Sequence, residues 1–362
     1  MEDINQAKTP YFTISKSKVL DQFEIVKDLV DIVSYSSKTN PVVTSILEKE
    51  TDTMFSVHTT NELKNIEDTS RVLFLAQAWN EEILKELIFK KNISWFVVDN
   101  TSDLDIFLEF VKNNEFKNKL NLMFRLKLKE FSIRTEKYYV FGMNSSFISK
   151  KVDEIYADEV LMGKLDKLGL HFHRKSQNLS EWNLQYELEE VFESNFFEKI
   201  DVINIGGGLP SVYANTNVNV FEGIYNKIRK FKSWLNSNNI DLMTEPGRFV
   251  SAPAGRFVTK IIGIHEDTII VDGSVYNGDL DALIVPVKLL IEGEVGADKR
   301  SEKGIKTYVI KGVTPCSMDI YRYRVYLSEK KVGDEIVFEY AGAYNFASDF
   351  CDLEKNKTYV ID

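Results

Sequence analysis

The chain has 362 residues, of which 44% are hydrophobic, so it is long enough for one large barrel and a smaller domain and too apolar for wholesale disorder. Its net charge is −10 and its pI is about 5.2, with acidic residues spread along the chain, which argues against nucleic acid as a partner. The two cysteines are far apart and the four histidines form no cluster with them, so we expect no metal site.

Eight short runs rich in β-branched and aromatic residues alternate with helical stretches along the first two thirds of the chain. The predicted strands are Asp31–Ser36, Met54–Val57, Arg71–Leu75, Trp95–Asp99, Leu120–Leu126, Gly169–His173, Asp201–Ile205 and Asp241–Thr244. The predicted helices include Pro41–Lys49, Glu81–Lys90, Leu179–Phe197 and Val220–Asn236. This alternation indicates a parallel sheet, either closed as a (β/α)8 barrel or open and doubly wound. We favour the α/β barrel because no GxGxxG motif follows the first strand.

The segment between the fifth and sixth strands, Lys127–Lys167, is long, and we expect a hairpin around Phe131–Phe141. After about Arg256 the pattern changes to short strands without long helices between them. These strands are Val258–Gly263, Thr268–Asp272, Lys306–Lys311, Asp319–Leu327, Glu335–Tyr340 and Lys357–Ile361. The sequence therefore predicts a barrel over 23–255, a C-terminal all-β domain over 256–362, and a segment over 1–22 whose strand Tyr11–Ser15 joins the β domain.

The chain has no apolar run of about 18 residues and no apolar leader after Met1. We therefore expect neither a membrane span nor a signal peptide. The low cysteine usage fits a reducing compartment, so we expect a cytoplasmic protein that acts on a small molecule.

Four polar motifs fall at the C-terminal ends of predicted barrel strands, where barrels carry their chemistry. Lys38 follows the first strand, His173 ends the sixth, Gly206–Gly208 ends the seventh and Glu245–Arg248 ends the eighth. Each alone has an ordinary interpretation, as a solvated lysine, a packing histidine, a glycine turn or an ion-paired turn. Their shared placement at one end of a barrel indicates a site.

These residue types suit one cofactor. The glycine triplet offers backbone N–H groups that can approach a phosphate. A desolvated Lys38 can form an imine with an aldehyde. Glu245 can hold a pyridine nitrogen protonated, and His173 can lie against a ring face. Together they point to pyridoxal 5'-phosphate.

Motifs along nearly the whole chain resemble one known family. In chain order they are Tyr35–Asn40, Phe55–Leu63, Phe124–Leu126, His171–Ser176, Gly206–Gly208, Glu245–Arg248 and Gly342–Tyr344. The sequence resembles the pyridoxal-phosphate enzymes of the alanine-racemase-like fold, in particular the ornithine, diaminopimelate and arginine decarboxylases. At 171–176 the family motif reads Ser-Phe-His-Val-Gly-Ser, so His171 stands where the family has serine.

The resemblance implies a barrel that carries the cofactor, a C-terminal β domain, and a homodimer with shared active sites. It implies that Lys38 is the Schiff-base lysine, that His173 stacks on the ring, and that Ser176 and Tyr344 contact the phosphate. The full set of implied cofactor-binding residues is Lys38, Arg125, His173, Ser176, Gly206, Gly207, Gly208, Glu245, Gly247, Arg248 and Tyr344.

One departure from the family concerns the general acid. The family carries Cys-Asp/Glu-Ser-x-Asp in its β domain, where the cysteine protonates the carbon after CO2 loss and the first acid binds the distal amine of the substrate. Here the segment is Gly312–Asp319, with Pro315 at the position of the cysteine and Cys316 at that of the acid. Cys316 is either the general acid after a one-residue shift or a small packing residue.

The absence of the acid that binds the distal amine in the family indicates a different substrate. The segment Ala282–Pro286, where many relatives carry another acid, has none either. A distal ammonium buried without a counter-charge is costly, so we expect an acylated distal nitrogen. The segments Gly169–Leu179 and Glu339–Tyr344 resemble the branch that decarboxylates citryl-amino acids in carboxylate siderophore synthesis.

The predicted function is therefore decarboxylation of an N-acylated diamino acid such as N-citrylornithine. The predicted catalytic residues are Lys38, Cys316, His173 and Glu245. The predicted substrate contacts are Arg174, Lys175, Asp319, Arg322 and Arg324.

Two alternatives to this function remain open: a decarboxylase of free ornithine, lysine, arginine or diaminopimelate, and a non-catalytic regulatory homologue, which the altered cysteine motif would suit. A racemase fits less well, because the tyrosine base of racemases occurs in a different motif.

Overall fold

The computed structural model describes residues 4–75, 77–127, 141–346 and 350–362. The chain divides into two compact units. One consists of Glu24–Leu209 and Asn219–Pro246, and we call it the barrel unit. The other, the β unit, consists of Met1–Phe23, Pro210–Val218 and Gly247–Asp362, and it contains the first strand, β1 (Tyr11–Ser15).

Eight parallel strands among the described residues close the barrel unit into a ring, in chain order. They are β2 (Ile32–Ser36), β3 (Met54–Val57), β4 (Val72–Leu75), β5 (Trp95–Val98), β6 (Leu120–Arg125), β7 (Leu165–His171), β8 (Val202–Asn204) and β9 (Asp241–Thr244). Pairing of β2 with β9, with Ile32 beside Met243, closes the ring. The predicted (β/α)8 barrel is therefore confirmed over the open sheet.

Helices precede the first barrel strand and follow most of the barrel strands. They are α1 (Lys16–Leu29), α2 (Pro41–Glu50), α3 (Glu81–Lys85), α4 (Thr101–Asn113), α5 (Ser145–Tyr156), α6 (Glu159–Lys164), α7 (Leu184–Glu189), α8 (Ser194–Phe197) and α9 (Phe221–Ser237). A π-helical turn, Glu86–Lys90, continues α3. The long insert after β6 thus contains α5 and α6, whereas the hairpin expected around Phe131–Phe141 lies almost wholly outside the described residues.

Strand β7 differs from its prediction at both ends. It begins at Leu165, earlier than predicted. The prediction missed this start because the charged side chains of Asp166 and Lys167 interrupt the apolar pattern there. It ends at His171, so His173 lies in the following loop and does not end the strand.

The predicted helix Leu179–Phe197 is also wrong, since two short helices replace it. Asn178 accepts the N–H groups of Ser180 and Glu181 on its Oδ1, and this local turn competes with a helix at that point.

Among the described residues, the β unit contains a mixed sheet and three short α-helices. Its further strands are β10 (Gly255–His265), β11 (Thr268–Val271), β12 (Leu290–Ile291), β13 (Ile305–Lys311), β14 (Ile320–Ser328), β15 (Glu335–Glu339) and β16 (Lys357–Ile361). Their order is β12-β15-β10-β11-β13-β14, and β1 pairs antiparallel with β10 and parallel with β16. The helices are α10 (Arg248–Ser251), α11 (Val275–Gly278) and α12 (Asp281–Ile284).

Each unit has its own buried apolar cluster. The barrel strands are buried on both faces, as expected for a parallel sheet covered by helices, and Leu73, Val97 and Met243 belong to one cluster. In the β unit Phe257, Phe338 and neighbouring aliphatic side chains form the core. Among the described residues no helix is both long and apolar enough to cross a membrane.

Candidate active site

Lys38 stands immediately beyond the C-terminal end of β2. A 3-10 turn, Ser37–Thr39, follows the strand, and Asn40 then caps α2 by accepting backbone N–H groups of its first turn at 3.0 and 3.4 Å. Pro41 at the first helical position has the fixed φ that a helix start needs. The Lys-Thr-Asn-Pro sequence therefore produces a tight strand-to-helix connection that leaves the Lys38 side chain exposed at the barrel end.

Glu245 lies one residue beyond β9, with 3% of its surface exposed. Asn204, at the end of β8, donates from Nδ2 to Oε1 of Glu245 at 2.6 Å. Nε2 of His171, at the end of β7, lies 3.2 Å from the same oxygen. Burial alone would raise the pKa of Glu245, but the neighbouring imidazoles, His171 first, outweigh it and hold that pKa below its usual range.

The backbone fixes the orientation of the Asn204 amide. Its Oδ1 accepts the N–H of Gly206 at 2.9 Å. Because a backbone N–H can only donate, Oδ1 must face Gly206, and Nδ2 must then face Glu245. Sequence analysis missed Asn204, although its place at a strand end, two residues before the glycine triplet, was a signal.

His173 lies beside the glycine triplet. The N–H of Gly207 donates to Nδ1 of His173 at 3.2 Å, so the single proton of the neutral imidazole sits on Nε2. Crowding by protein atoms lowers the pKa of His173 against the opposing charge of Glu245. The side chain itself is exposed at the barrel end.

Side chains from several strand ends shift the pKa values of His173 and Glu245. The charges of Lys38 and Arg125 also lower the pKa of His173, after the effects of burial, Glu245 and His171. His58, directly after β3, also lowers the pKa of Glu245. The C-terminal ends of β2, β3, β6, β7 and β9 thus bring their polar residues together, as expected for a barrel.

The glycine triplet has no room for side chains. Gly206 has φ of +62°, and a Cβ there would lie 2.7 Å from Nδ1 of His173. A Cβ on Gly207 would lie 3.0 Å from the carbonyl oxygen of Glu245, and Gly208 has φ of +105°. Only glycine fits this turn without strain, and it leaves the backbone at the barrel end open to close approach by a ligand.

Arg125 ends β6 and pairs with Asp99, directly after β5. Its Nη1 lies 2.6 Å from Oδ1 of Asp99, and Gln77 donates to Oδ2 at 2.8 Å. The guanidinium also lies 4.6 Å from the ring centroid of Phe141. Asp99 is 2% exposed and is a site residue that sequence analysis overlooked, although it was the last residue of a predicted strand.

His171, His173 and Glu245 also offer ligand atoms within 4.8 Å of one another, as a metal site would. Two hydrogen-bond donors oppose this interpretation. The amide of Asn204 points at Oε1 of Glu245, and the N–H of Gly207 points at Nδ1 of His173. Positive ends of dipoles directed at these atoms disfavour a cation there, so the arrangement suits an organic ring better.

The loop after β7 contains three predicted site residues. Arg174 is 4% exposed, and its guanidinium pairs with Glu187 at 2.6 Å and with Glu181 at 3.7 Å. These partners are internal, so we do not retain Arg174 among the proposed substrate contacts. Lys175 and Ser176 are exposed in the same loop.

In the β unit, Arg248 is buried and bound by Asp281. Its Nε and Nη2 lie 3.1 and 2.6 Å from the Asp281 carboxylate in a two-pronged pair. The guanidinium carbon lies 5.1 Å from the ring centroid of Tyr344. Gly247, at the start of α10, accepts the N–H groups of Val250 and Ser251 on its carbonyl.

Tyr344 adopts a left-handed backbone conformation, with φ of +60°. Such a conformation costs free energy in a residue other than glycine and occurs often at functional sites. Two residues earlier, a Cβ on Gly342 would lie 1.9 Å from the carbonyl oxygen of Ser251. The Gly-Ala-Tyr sequence therefore packs directly against the end of α10.

Cys316 lies in the loop between β13 and β14, partly exposed. Its Sγ is 2.8 Å from the hydroxyl of Tyr276 on α11. This hydrogen bond is the main cause of a lowered pKa of the thiol. Tyr276 is a partner that sequence analysis did not find.

Asp319 holds the same loop in place. Its Oδ1 accepts the N–H of Val275 at 2.8 Å, and its Oδ2 accepts the N–H and hydroxyl of Thr314 at 3.0 and 2.7 Å. The side chain is fully buried. These bonds give Asp319 a structural task and leave it out of the proposed substrate contacts.

Two arginines of β14 have different surroundings. Arg322 donates to the carbonyl oxygen of Leu289 at 2.6 Å and pairs with Glu294 at 2.9 Å. Arg324 is exposed. Only Arg324 of the two therefore presents its side chain to solvent.

Comparison with known proteins gives three findings. A family model described as "Pyridoxal-dependent decarboxylase, pyridoxal binding domain" matches residues 16–252. The chain is 27% identical over 221 residues to a 2-[(L-alanin-3-ylcarbamoyl)methyl]-2-hydroxybutanedioate decarboxylase of Staphylococcus aureus, a match that covers 54% of this chain and 53% of the relative. The match thus spans about half the length of that relative.

Two solved structures share the fold. A lysine/ornithine decarboxylase of Vibrio vulnificus, complexed with cadaverine, superposes with a TM-score of 0.78 at 20% identity, covering 99% of this chain and 96% of the other. A diaminopimelate decarboxylase of Helicobacter pylori, complexed with L-lysine, gives a TM-score of 0.79 at 19% identity, covering 99% and 93%.

Proposed function

We propose that this chain, which belongs to the pyridoxal-dependent decarboxylases, releases CO2 from an amino acid whose distal nitrogen is acylated. N-citryl diamino acids, among them N-citrylornithine, are the substrates that we propose first. One observation carries the substrate class: neither 312–318 nor 282–286 contains an aspartate or glutamate, where related enzymes place the acid that binds a distal ammonium. An amide nitrogen needs no such counter-charge.

The residues at the barrel end fit pyridoxal phosphate. The glycine triplet forms a turn so close to His173 and Glu245 that a Cβ at Gly206 or Gly207 would meet their atoms at 2.7 or 3.0 Å. The donor set joins a buried carboxylate, an exposed imidazole and an exposed lysine amine, as the ring and aldehyde of this cofactor require. When bound, pyridoxal phosphate combines with the substrate amine and accepts the electron pair that the departing carboxylate leaves behind.

Each residue of the barrel end has a proposed task. Lys38 would hold the cofactor covalently through Nζ. The N–H of Gly208, with Ser176, binds the phosphate, and Gly206 and Gly207 shape the turn, since their own N–H groups donate to Asn204 and His173. Glu245 holds a proton on the ring nitrogen, and His173 packs against the ring face.

The β unit supplies further groups in this proposal. Cys316 gives its Sγ proton to the substrate carbon after CO2 has left, and the Tyr276 hydroxyl stabilises the resulting thiolate. Tyr344 and Arg248 contribute to phosphate binding. We propose that Cys316 comes from the partner subunit of a homodimer.

A substrate of this class carries extra carboxylates on its acyl group. The relative in Staphylococcus aureus is named for a compound in which a carbamoyl group joins the alanine side chain to a hydroxybutanedioate. Exposed cations are needed to bind such a tail. Lys175 and Arg324 are the predicted contacts that remain exposed.

The test is CO2 release by the cofactor-loaded protein over a matched panel. N-citrylornithine and N-citryl-diaminopropionate are assayed beside free ornithine, lysine, arginine and diaminopimelate. Turnover confined to the citrylated compounds supports the proposal. Turnover of a free diamino acid would mean that another residue provides the distal counter-charge, and inactivity on all of them would favour the regulatory homologue.

A further inference from the structure

His171 is a buried imidazole to which the proposed function gives no task. Its side chain is 0% exposed and ends β7, with Arg125 of β6 on one side in register and Asn204 of β8 on the other. The family motif has serine at this place, as the sequence comparison of 171–176 indicates. A large titratable side chain at the centre of the barrel end therefore calls for an explanation.

The contacts of His171 converge on one oxygen of Glu245. Its Nε2 lies 3.2 Å from Oε1, the oxygen that already accepts the Asn204 amide at 2.6 Å. The amide of Asn204 is itself fixed by the N–H of Gly206. One hydrogen bond and one close imidazole contact are therefore directed at Oε1, and neither of them involves the second oxygen, Oε2.

His171 meets Glu245 as a neutral donor. Burial lowers the pKa of His171, against the opposing charges of Glu245 and Asp99 and with the support of Arg125. Neither ring nitrogen makes a hydrogen bond of good geometry among the described residues. Nε2 is the one that lies near a carboxylate, 3.2 Å from Oε1, so the one proton of the neutral ring is best placed on Nε2. The other titratable groups that act on Glu245 are His58 and His173.

We propose that His171 is a positioning residue that, together with Asn204, keeps Glu245 ionised and turns Oε2 toward the ring nitrogen of the bound cofactor. A carboxylate whose other oxygen accepts the Asn204 amide and faces the Nε2 proton of His171 is a weaker base. The proton shared between Glu245 and the ring then resides on the ring nitrogen, where it makes the ring a better electron acceptor. This inference rests on the proposed function, because it assumes that the ring lies against Glu245.

The test follows the ring proton directly. The protein is loaded with pyridoxal phosphate labelled with 15N in its ring, and the 15N chemical shift is followed against pH in wild type, His171→Gln and His171→Met. Glutamine and methionine have similar lengths, but only glutamine can donate a hydrogen bond to Glu245. His265→Met, at an exposed position in the β unit, is the control for loss of a histidine.

In His171→Met we expect the ring 15N signal to move toward that of an unprotonated pyridine throughout the pH range in which the wild-type ring carries its proton, because Glu245 becomes the stronger base and takes the shared proton. His171→Gln and His265→Met should titrate like wild type. If the Gln and Met variants titrate alike, His171 has no part in placing the proton and the inference is wrong. If wild type carries no cofactor on Lys38 after borohydride reduction, the proposed function fails and takes this inference with it.

Discussion

At the scale of single residues, the hydrogen bond between Tyr276 and Cys316 makes the thiol more acidic. Tyr276→Phe removes this bond and keeps the ring that packs 4.1 Å from Phe350. The thiol pKa should then rise, so alkylation of Cys316 by iodoacetamide at pH 7.5 should slow. The measurement is the alkylation rate of the Cys316 peptide against pH, by mass spectrometry.

The kcat values of Cys316→Ala and Tyr276→Phe test whether the thiol takes part in the reaction. Cys316→Ala should lower kcat of the decarboxylase with little change in KM, because the thiol acts after the substrate has bound. Tyr276→Phe should lower kcat in the same direction but less. An unchanged alkylation profile in Tyr276→Phe would mean that the hydroxyl does not contact the thiol in solution.

Asp279 is a buried carboxyl group whose contribution to the free energy of unfolding depends on pH. It is 1% exposed, and burial, with the nearby Asp281, raises its pKa well above the usual value. The unfolded chain releases this proton near pH 3.9 and the folded chain retains it to higher pH. The contribution of Asp279 to stability is therefore complete below about pH 3.9 and declines as the pH rises toward its folded pKa.

Asp279→Asn removes this decline. At pH 8 the variant should be more stable to urea than wild type by about 1 kcal/mol or more, and the difference should shrink as the pH falls toward 4. Asp298→Asn, at an exposed position of the same unit, is the control and should change nothing. A stability difference that does not depend on pH would contradict a protonated Asp279.

At the scale of elements, Gly342 decides how the Gly-Ala-Tyr segment packs on α10. A Cβ there would lie 1.9 Å from the carbonyl oxygen of Ser251, which is backbone and cannot move aside easily. Gly342→Ala should therefore lower the free energy of unfolding by about 1–3 kcal/mol, the usual cost of overpacking. Gly163→Ala, in α6 where a Cβ meets nothing within 4 Å, should be neutral or stabilising in the same urea titration. Equal stability of the two variants would show that the segment packs differently.

Strand ends were the part of the fold and site that the sequence could predict well. Apolar runs of four to six residues, such as Met54–Val57, can be recognised as strands when charged or turn residues flank them. Lys38 and Glu245 followed from those ends, because barrel chemistry collects there. The start of β7 could not be predicted in this way, since Asp166 and Lys167 interrupt its apolar pattern.

Side-chain pairings could not be predicted, because they depend on neighbours distant in sequence. Asn204 and Glu245 are 41 residues apart, and Tyr276 and Cys316 are 40 residues apart. The same limit applies to Arg174, which the sequence suggested for substrate and the structure pairs with Glu187. Composition and periodicity locate elements, whereas such pairs follow only from the closed barrel and the sheet.

At the scale of the whole molecule, the proposed homodimer with shared active sites can be tested by mixing two inactive variants. Lys38→Ala and Cys316→Ala should each be nearly inactive alone. If the two residues of one site come from different subunits, a mixed dimer has one intact site. Equal amounts of the two variants, mixed and allowed to exchange subunits, should then regain about a quarter of wild-type activity.

The control for this experiment is a mixture of Lys38→Ala with Lys38→Ala/Cys316→Ala, which contains no intact site in any combination and should stay inactive. Size-exclusion chromatography with light scattering establishes that the proteins are dimers. Dimers that exchange subunits without regaining activity would place Lys38 and Cys316 of one site in the same chain.

We propose that the protein decarboxylates an amino acid with an acylated distal nitrogen. The most direct test of this proposal is a competition in one tube between N-citryl-diaminopropionate and free diaminopropionate, with 13C in the α-carboxyl group of one and 14C in that of the other. The ratio of the labels in the released CO2 gives the ratio of the two kcat/KM values. We predict a preference for the acylated compound of about 100-fold or more, since an ammonium without a counter-charge is costly to bury. A ratio near one, or a preference for the free diamino acid, would contradict the account.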